Sequence, residues 1–502
     1  MNRYKWIGIL LFAMAGLCFS CYEDKGNYDY NWIQDVVLTT EFNDTTVQRG
    51  TLFFFNPGPA KSTSAGMAEV NPDDYTFSWV AVWGNNKSLV LSTNRDLNDT
   101  IWLPIGDTYL ISYTVTEKAS GVSWMKRFNM KVVQNYTDGL LMMTEDDNRQ
   151  TELEIYASST KGERIHETGV MARSGFLYRG GGANFVASTS CGSGGGVYKY
   201  LWMSTGEGMG WLKLPDFSWD EKQMLRMLMV KQEPVSYTLC NIGQFHSNIA
   251  FGFTQDGNVH PLNNNNLVYS DIAYVNMQKF KASPWLGGYN NTALLFDTDR
   301  KRFVVFTSGV YGWQFPSNTC LDVADDVAFE GSTLYYMSLV KDKETIAVLK
   351  DKDGKYWKCV IKMAGTATKP ELVVEKFELN PDIAVLENAE TKAIDYVYKK
   401  IYFTSGQKLY CYRDGSGIDA CREVNLLKDG QKLALDEVVA VIVVPNVYAN
   451  NITDKVYVST YSSQHKGRVY VTQPESNEPM NLIVKEEIQT EGRVKSLCKW
   501  SN

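Results

Sequence analysis

The feature of this sequence that most restricts its fold is a strand-rich pattern that recurs from Tyr136 to the end of the chain. Short apolar runs, polar turns and second apolar runs repeat at intervals of 46 to 55 residues. In residues 294–306, for example, an acidic turn separates two apolar runs. The repeats are centred on Leu153, Leu201, Phe253, Phe303, Tyr356, Tyr402 and Tyr457. One such unit cannot bury both of its faces, so neighbouring units must stack.

The repeat predicts a β-propeller over residues 136–502. Periods of about 40 to 55 residues made of short strands are typical of propeller blades. Seven blades fit the length, and six or eight are also compatible with it. Residues 139–144 are a further apolar run, which we expect to join the last blade and close the ring, because closure removes an exposed sheet edge. The alternative is a pair of β-sandwiches.

The preceding residues, 32–135, predict one small β-sandwich. Residues 75–80 and 106–116 alternate apolar and polar side chains with a period of two, as half-buried strands do. Aromatic residues make up 13% of the chain, and they favour strands over helices. The predicted fold class is therefore all-β, a β-sandwich followed by a propeller.

The first twenty residues predict a signal peptide. Arg3 and Lys5 precede an apolar run at 6–17. This run is shorter than the roughly 20 residues that a membrane-spanning helix needs. It is followed by a small residue and Cys21, a pattern similar to a bacterial lipobox, in which cleavage leaves a lipidated cysteine at the N-terminus.

Residues 21–31 predict an acidic tether after the lipidated cysteine. Glu23 and Asp24 follow Cys21 almost directly, an arrangement that looks like a surface-export signal of Bacteroidetes lipoproteins. Ordinary secretion with a free Cys21 is the alternative, and Cys18 is a competing lipidation site that lacks the acidic neighbours. The sequence thus predicts a lipid anchor in the outer membrane, with the protein facing the cell exterior.

The charge and the cysteine content exclude several classes of function. The formal net charge is −7, and it becomes −9 when Arg3 and Lys5 leave with the signal peptide, so we expect no nucleic-acid partner. Seven cysteines remain beyond Cys18 and Cys21, an odd number without a paired metal-binding motif. Cys411 and Cys421 could bridge one hairpin, but buried free thiols are the favoured interpretation for most of the set.

We predict no catalytic residues, no metal site and no cofactor. The nucleophile elbow, the zinc-protease motif and the phosphate-binding loops are missing from the sequence. Asp297 with Asp299, and Asp351 with Asp353, suggest calcium loops at first sight. They lack the further oxygen ligands that Ca²⁺ needs, and acidic β-turns are the favoured interpretation.

Aromatic residues in predicted loops are the candidates for a binding surface. Planar rings on loops can stack on sugars or hold peptide side chains at low entropic cost. For any single ring, packing against the propeller is the alternative. The candidates for ligand or partner contact are Trp211, Trp219, Trp285, Tyr289, Tyr311 and Trp313.

Three segments together resemble one family. These are the Cys-Tyr-Glu-Asp-Lys-Gly-Asn-Tyr start at 21–28, the two alternating strands of the sandwich, and residues 138–146. They are similar to the PKD-like outer-membrane lipoproteins of Bacteroidetes, in which a PKD-type immunoglobulin-like sandwich packs a central tryptophan beneath the strand after Gly-x-Tyr. The resemblance implies partnership with a SusC-like TonB-dependent transporter and a SusD-like lipoprotein. The family supplies no catalytic residues.

The hypothesis from the sequence is an accessory lipoprotein of a nutrient import complex that is not an enzyme. It would bind an oligosaccharide or a peptide, or dock on the transporter. One alternative is a propeller glycoside hydrolase or lyase, which would act through carboxylates in the central channel. Another is a purely structural subunit.

Overall fold

The structure is a computed structural model of the full chain. It describes residues 36–84, 87–133, 135–159, 162–193, 196–214, 217–219, 239–246, 249–263, 268–269, 274–275, 278–289, 292–307, 319–339, 344–366, 369–395, 400–413, 420–444, 455–475 and 480–501. Cys21, Tyr311 and Trp313 lie outside these residues. Helices are short within them: α-helices at Val170–Ser174 and Asp325–Ala328, and 3₁₀ helices at Pro72–Asp74 and Pro381–Asn388. In the described part of the chain, no helix has the length and apolar character needed to span a bilayer.

The first ten strands form three small sheets. The largest has the order β2-β10-β9-β6-β7, and the others are β1-β4-β5 and β3-β8. The strands are β1 (Val36–Leu38), β2 (Thr45–Gln48), β3 (Leu52–Phe55), β4 (Ala60–Ser62), β5 (Ala68–Glu69), β6 (Tyr75–Trp83), β7 (Lys87–Ser92), β8 (Leu97–Thr100), β9 (Thr108–Glu117) and β10 (Ser123–Val133).

The core of these sheets is built around Trp79, as the alternation in residues 75–80 predicts. Its indole ring is fully buried and stacks on Tyr113 of β9 with 4.4 Å between ring centroids. Phe55 packs edge-on against the same indole at 5.7 Å. The indole N–H donates to the carbonyl of Arg95 at 3.0 Å, so the buried polar atom is satisfied. Trp79 lies directly opposite Tyr113 in the ladder of β6 and β9, so the central tryptophan packs beside β9 in the same sheet and not beneath it.

The described chain divides into two compact units. One contains residues up to Thr45 together with Leu52–Asp99 and Thr108–Met130. The other contains Thr46–Thr51, Thr100–Asp107 and all residues from Lys131 onward. Because this division follows packing rather than chain order, the domain boundary predicted between residues 135 and 136 stays a prediction.

The remaining strands form seven successive sheets among the described residues, which are the blades of a β-propeller. The inner strand of each blade is named first. Blade 1 consists of β41 (Arg493–Ser501), β11 (Tyr136–Glu145), β12 (Thr151–Ser159) and β13 (Arg164–Glu167). Blade 2 consists of β14 (Ala183–Ser193), β15 (Gly196–Thr205) and β16 (Met209–Leu214), and blade 3 of β17 (Leu239–His246), β18 (Ile249–Thr254), β19 (Val259–Asn263) and β20 (Val268–Tyr269).

Blades 4 and 7 carry two additional short strands each. Blade 4 consists of β23 (Gly287–Tyr289), β24 (Thr292–Asp297), β25 (Arg302–Thr307) and β26 (Thr319–Asp322), extended by β21 (Tyr274–Val275) and β22 (Gln278–Lys279). Blade 5 consists of β27 (Thr333–Leu339), β28 (Glu344–Lys350), β29 (Tyr356–Thr366) and β30 (Lys369–Glu378), and blade 6 of β31 (Thr391–Ile394), β32 (Ile401–Ser405), β33 (Lys408–Arg413) and β34 (Ala420–Glu423). Blade 7 consists of β37 (Glu437–Val444), β38 (Lys455–Ser462), β39 (Lys466–Pro474) and β40 (Asn481–Thr490), extended by β35 (Asn425–Lys428) and β36 (Gln431–Lys432).

The ring is closed by antiparallel pairing of β11 with β41, in which Leu141 faces Cys498. This confirms that the apolar run at 139–144 has a closing role. The direction of closure differs from the prediction: the last strand of the chain joins the first blade, and β11 does not join the last one. The reason is that β11 also pairs with β12 along its whole length, which fixes it in blade 1.

The apolar runs that mark the repeat are the middle strands of the blades. All six residues of β24 are buried, and so are the five central residues of β28. Blades press on these strands from both sides, so both faces must be apolar. Between blades 4 and 5, for example, Phe296 and Phe303 share one core with Leu349 and Ile361.

Hydroxyl side chains connect inner strands to the first or second strand of the neighbouring blade across the blade junctions. An inner strand has a ladder partner on one side only, so its other edge offers unpaired backbone groups. Serine and threonine satisfy some of them. The hydrogen bonds are Gly288 N–H to Thr345 Oγ1 at 2.9 Å, Val441 N–H to Thr391 Oγ1 at 3.1 Å, Val186 N–H to Ser496 Oγ at 3.0 Å, and Ser459 Oγ–H to the Val494 carbonyl at 2.9 Å.

A buried carboxylate holds the second unit together near blade 1. Glu167 is completely buried, and it accepts hydrogen bonds at 2.8 Å from both Arg49 and Arg173. The Tyr136 hydroxyl donates to the same carboxylate. Burial and the charge of Glu167 raise the pKa of Tyr136, so its phenol keeps the proton that it donates. Arg49 is also buried, so loss of either Arg49 or Glu167 would leave the other charge buried without this partner.

We expect Gly492→Ala to destabilise the closed ring. A Cβ at this position would lie 2.7 Å from the carbonyl oxygen of Glu145, which belongs to the closing strand β11. Overpacking of this kind costs about 1–3 kcal/mol of unfolding free energy. Urea unfolding followed by tryptophan fluorescence measures the loss. Ser463→Ala, at an exposed turn position, is the control, and equal stability of the two variants would contradict the proposed contact.

We expect Glu167→Gln to lower the unfolding free energy by about 3–5 kcal/mol, since it leaves the buried Arg49 without a counter-charge. The control is Glu378→Gln, which removes a pair with Lys355 in which both side chains are about half exposed. Exposed pairs of this kind contribute about 0–1 kcal/mol. A loss below 1 kcal/mol for Glu167→Gln would show that Arg49 finds water or another acceptor.

Candidate functional site

One end of the blades carries two kinds of connection. In an antiparallel blade, the turn between the second and third strands lies at the same end as the loop that enters the next inner strand. We call this end the turn face. It includes the helix Val170–Ser174, the 3₁₀ helix Pro381–Asn388 and residues 433–436, each of which precedes an inner strand.

Polar side chains at the ends of the second strands close the turns of this face. In five blades, a side-chain oxygen accepts hydrogen bonds of 2.7–3.0 Å from backbone amides two to four residues later. Such side-chain turns let a short polar segment reverse the chain. The residues are Asp146, Thr254, Asp297, Asp351 and Ser462.

The carboxylates of Asp297 and Asp351, which resembled calcium ligands in the sequence, accept hydrogen bonds within these turns. The second oxygen of Asp297 accepts from Arg300 Nε at 2.7 Å, and that of Asp351 from the Trp357 indole at 2.8 Å. The interpretation of these residues as acidic β-turns is therefore confirmed. In the part of the chain that the structure describes, no group of three or more His, Cys, Asp or Glu side chains is arranged to hold a metal ion.

The described cysteines are not poised for nucleophilic chemistry. Cys320, Cys359, Cys411, Cys421 and Cys498 are free thiols, so the alternative of a bridge between Cys411 and Cys421 is wrong. Burial raises the pKa of Cys359, Cys411, Cys421 and Cys498 to about 12. The thiolate, which is the nucleophile, is therefore scarce at neutral pH.

A cleft of about 360 Å³ opens on the turn face between blades 6 and 7. Four buried side chains from both blades form its floor: Leu409, Val424, Leu426 and Val438. They belong to the core that these blades share, so the floor is rigidly supported. The rest of the lining includes polar and charged side chains: Gln407, Lys408, Glu423, Lys432, Asp436 and Glu437.

Charged groups surround this cleft. Lys408 pairs with Glu423 at 2.9 Å, and Asp436 Oδ2 lies 3.1 Å from His465 Nδ1 on the neighbouring turn. Both pairs are partly exposed to solvent. The rim is thus polar while the floor is aliphatic, which is the anatomy of a small recognition surface.

Two of the predicted aromatic residues flank strand β16 in blade 2. Trp211 is 2% exposed, and its ring packs edge-on against Tyr200 at 5.0 Å. Trp219 covers the opposite side of the strand at Gly210 and packs on Phe176 with 4.9 Å between centroids. Both rings contribute to packing of the blade, and the structure does not bring them to a common surface.

Trp285 lies at the junction of blades 4, 5 and 6. Its ring meets Tyr336 edge-on at 4.9 Å, and Lys392 Nζ lies 6.0 Å from the ring centroid. Burial lowers the pKa of Lys392, whose ammonium group donates to the Ala389 carbonyl at 2.9 Å. Trp285 is half-buried and packs on two interblade cores. Tyr289 ends strand β23, and Tyr311 and Trp313 fall outside the described residues, so binding through these residues stays a prediction.

The cleft was missed by the sequence analysis because its lining is aliphatic. Only one signal in the sequence points to it, the alternation of leucine and alanine at 433–435 followed by two acidic residues. Such a pattern is indistinguishable from an ordinary core strand. The cleft also combines residues 406–409 with 432–438, which only the packing of blade 6 on blade 7 brings together.

Comparison with known protein families gives one match, which covers the N-terminal part of the chain. Residues 21–175 match the PKD-like family. The N-terminal domain is PKD-like. The match continues beyond the sandwich through β11, β12 and β13 to the helix at Val170–Ser174, so the family pattern includes three of the four strands of the first blade.

Solved structures that match a large part of the chain have very different sequences. A quinoprotein alcohol dehydrogenase-like protein from Bacteroides thetaiotaomicron VPI-5482 is 13% identical, with a TM-score of 0.49 over 92% of this chain and 99% of that chain. A β-propeller domain from Myceliophteria thermophila is 8% identical, with a TM-score of 0.33 over 73% and 97%. No curated protein matches the sequence. The propeller assignment therefore rests on the sheet order and ring closure of this chain.

Proposed function

We propose that the protein is an accessory lipoprotein of a nutrient import complex, anchored in the outer membrane by a lipid on Cys21 and facing outward. Its partners are a SusC-like TonB-dependent transporter and a SusD-like lipoprotein. The propeller binds an oligosaccharide or a peptide, or docks on the transporter, and it catalyses no reaction.

The observation that carries this proposal is the starting point of the family match. The PKD-like pattern begins at Cys21, the residue at which the lipobox predicts cleavage and lipidation. Both signals include Cys21, but the lipobox also depends on the residues before it and the family pattern on the residues after it. Their agreement supports a lipidated N-terminus followed by a PKD-like domain.

The turn face supports binding rather than catalysis. The carboxylates of Asp297 and Asp351 are saturated by hydrogen bonds, and Lys408 and Glu423 neutralise each other. A general acid or base needs a pKa tuned by its surroundings and access to the substrate. A rigid aliphatic floor with a polar rim instead suits recognition.

We expect Cys21→Ala to abolish lipidation and release the protein from membranes. Metabolic labelling with an alkyne fatty acid, followed by membrane fractionation, measures both effects. Cys18→Ala is the matched control, because it removes the competing cysteine and leaves Cys21 in place. If labelling persists in Cys21→Ala and disappears in Cys18→Ala, the lipidated residue is Cys18. If both variants are secreted without a lipid, the proposed lipid anchor on Cys21 is wrong.

We further expect the transporter and its SusD-like lid to copurify in stoichiometric amounts. Native outer membranes are extracted in mild detergent, and the complex is captured through a tag after Asn502. The Cys21→Ala variant, which is not anchored, serves as the control for capture after lysis. If the lipoprotein elutes alone, its proposed membership of an import complex is wrong.

A further inference from the structure

One wall of the cleft on the turn face is formed by residues 433–436, which belong to no helix or strand. Leu433 and Leu435 pack on the core of blades 6 and 7, while Ala434 between them is exposed. This alternation with a period of two is that of a β-strand. The segment is fixed at both ends, because Leu433 N–H donates to Leu426 at 2.9 Å and Val438 N–H donates to Gln407 at 3.1 Å.

Between these two anchors, the backbone of the segment is not part of a sheet. Within the described residues, the amides of Ala434, Leu435 and Asp436 donate to no backbone carbonyl. An extended segment with unused backbone groups is a template for another strand. Peptides bind such edges by adding a strand, and pockets beside the edge then select alternate side chains.

The floor of the cleft selects an aliphatic side chain. Leu409, Val424, Leu426 and Val438 form it, and none of the described residues that line the cleft is aromatic. Sugars are generally held by stacking on aromatic rings, which this lining does not offer. Burial of a leucine-sized side chain there would remove its apolar surface from water and so orient a short peptide.

Charged groups of both signs line the rim of the cleft: Asp436 lies beside His465, and Glu437 lies 3.7 Å from Arg493. Lys408 is neutralised by Glu423, but Lys432 is exposed and forms no ion pair within the described residues. Lys432 directly precedes the extended segment, so its ammonium group lies beside a strand added there. A carboxylate next to the aliphatic side chain would pair with it.

We propose that residues 432–438 bind an extended peptide segment of a protein partner or cargo, with an aliphatic side chain in the cleft and an acidic residue beside it at Lys432. The added strand pairs with the backbone of residues 434–436, whose amides donate to no backbone carbonyl within the described residues. This inference rests on the proposed function for a ligand-binding propeller, and it decides between the peptide and the oligosaccharide that the proposal leaves open.

The test is selection of a random octapeptide phage library on the full-length lipidated protein in mild detergent, with a glycan array probed in parallel. We expect enrichment of leucine, isoleucine or valine next to aspartate or glutamate. The enriched peptide is then synthesised with a fluorophore, and its affinity is measured by anisotropy for the wild type and three variants.

Ala434→Trp covers the cleft from an exposed position, so it should weaken binding by about tenfold or more, the loss of about 1.4 kcal/mol of contact. Lys432→Glu should weaken it by about threefold, as expected for an exposed ion pair. Lys352→Trp, on an exposed turn of blade 5, should bind like the wild type. Wild-type affinity in Ala434→Trp, an enriched motif without an aliphatic residue, or no enrichment at all would overturn the inference. So would glycan binding that Ala434→Trp abolishes.

The outcome is independent of the capture experiment. If the protein binds peptides but elutes without a transporter, the import complex is wrong and the peptide-binding cleft is supported. If the transporter copurifies but no peptide is selected, the import complex is supported and the peptide-binding cleft is wrong.

Discussion

The pairing of β11 with β41 is the contact on which the propeller depends. It joins residues that are more than 340 positions apart in sequence, as in the pair Leu141 and Cys498. Each blade buries its faces only against its neighbours, so an open ring would expose two apolar blade faces and one sheet edge. Closure converts seven weakly stable sheets into one cooperative unit. The cost in loop entropy grows only with the logarithm of loop length, which is why so distant a contact can form.

Close packing of neighbouring blades explains which residues occur near the centre of the ring. The Thr345 side chain would lie 2.4 Å from a Cβ at position 287, so only glycine lets β23 approach blade 5 closely enough for the Thr345 hydroxyl to reach the Gly288 amide. Hydroxyls recur at other junctions because they are short and can accept from or donate to an unpaired backbone group. Larger polar side chains would hold the blades apart, and apolar ones would leave backbone amides unsatisfied.

The sequence was sufficient to predict the fold because each repeat encodes its own strands. The buried runs at β24 and β28 are visible as uninterrupted apolar stretches, and Trp79 is visible as the centre of an alternating strand. The candidate site was not predictable by the same means. An aromatic residue such as Trp211 gives the same signal whether it lines a ligand site or fills a blade, and burial decides between the two. The direction of ring closure likewise depends on which strands pair, a tertiary property that no local pattern carries.

Stability and recognition occupy different parts of the same blades. The ladders and the hydroxyl contacts use the backbone N–H and C=O groups of the strands, and the interblade cores use their apolar side chains. Few of these groups then remain to bind a partner. Residues 434–436 differ because the chain passes there from β36, at the outer edge of blade 7, to β37, the inner strand of the same blade. The leucines on either side of Ala434 hold this passage on the core, yet its backbone donates to no neighbouring strand in the described structure. The segment beside Lys432 is thus supported by the core and does not donate to a described strand, and it forms one wall of a cleft with an aliphatic floor.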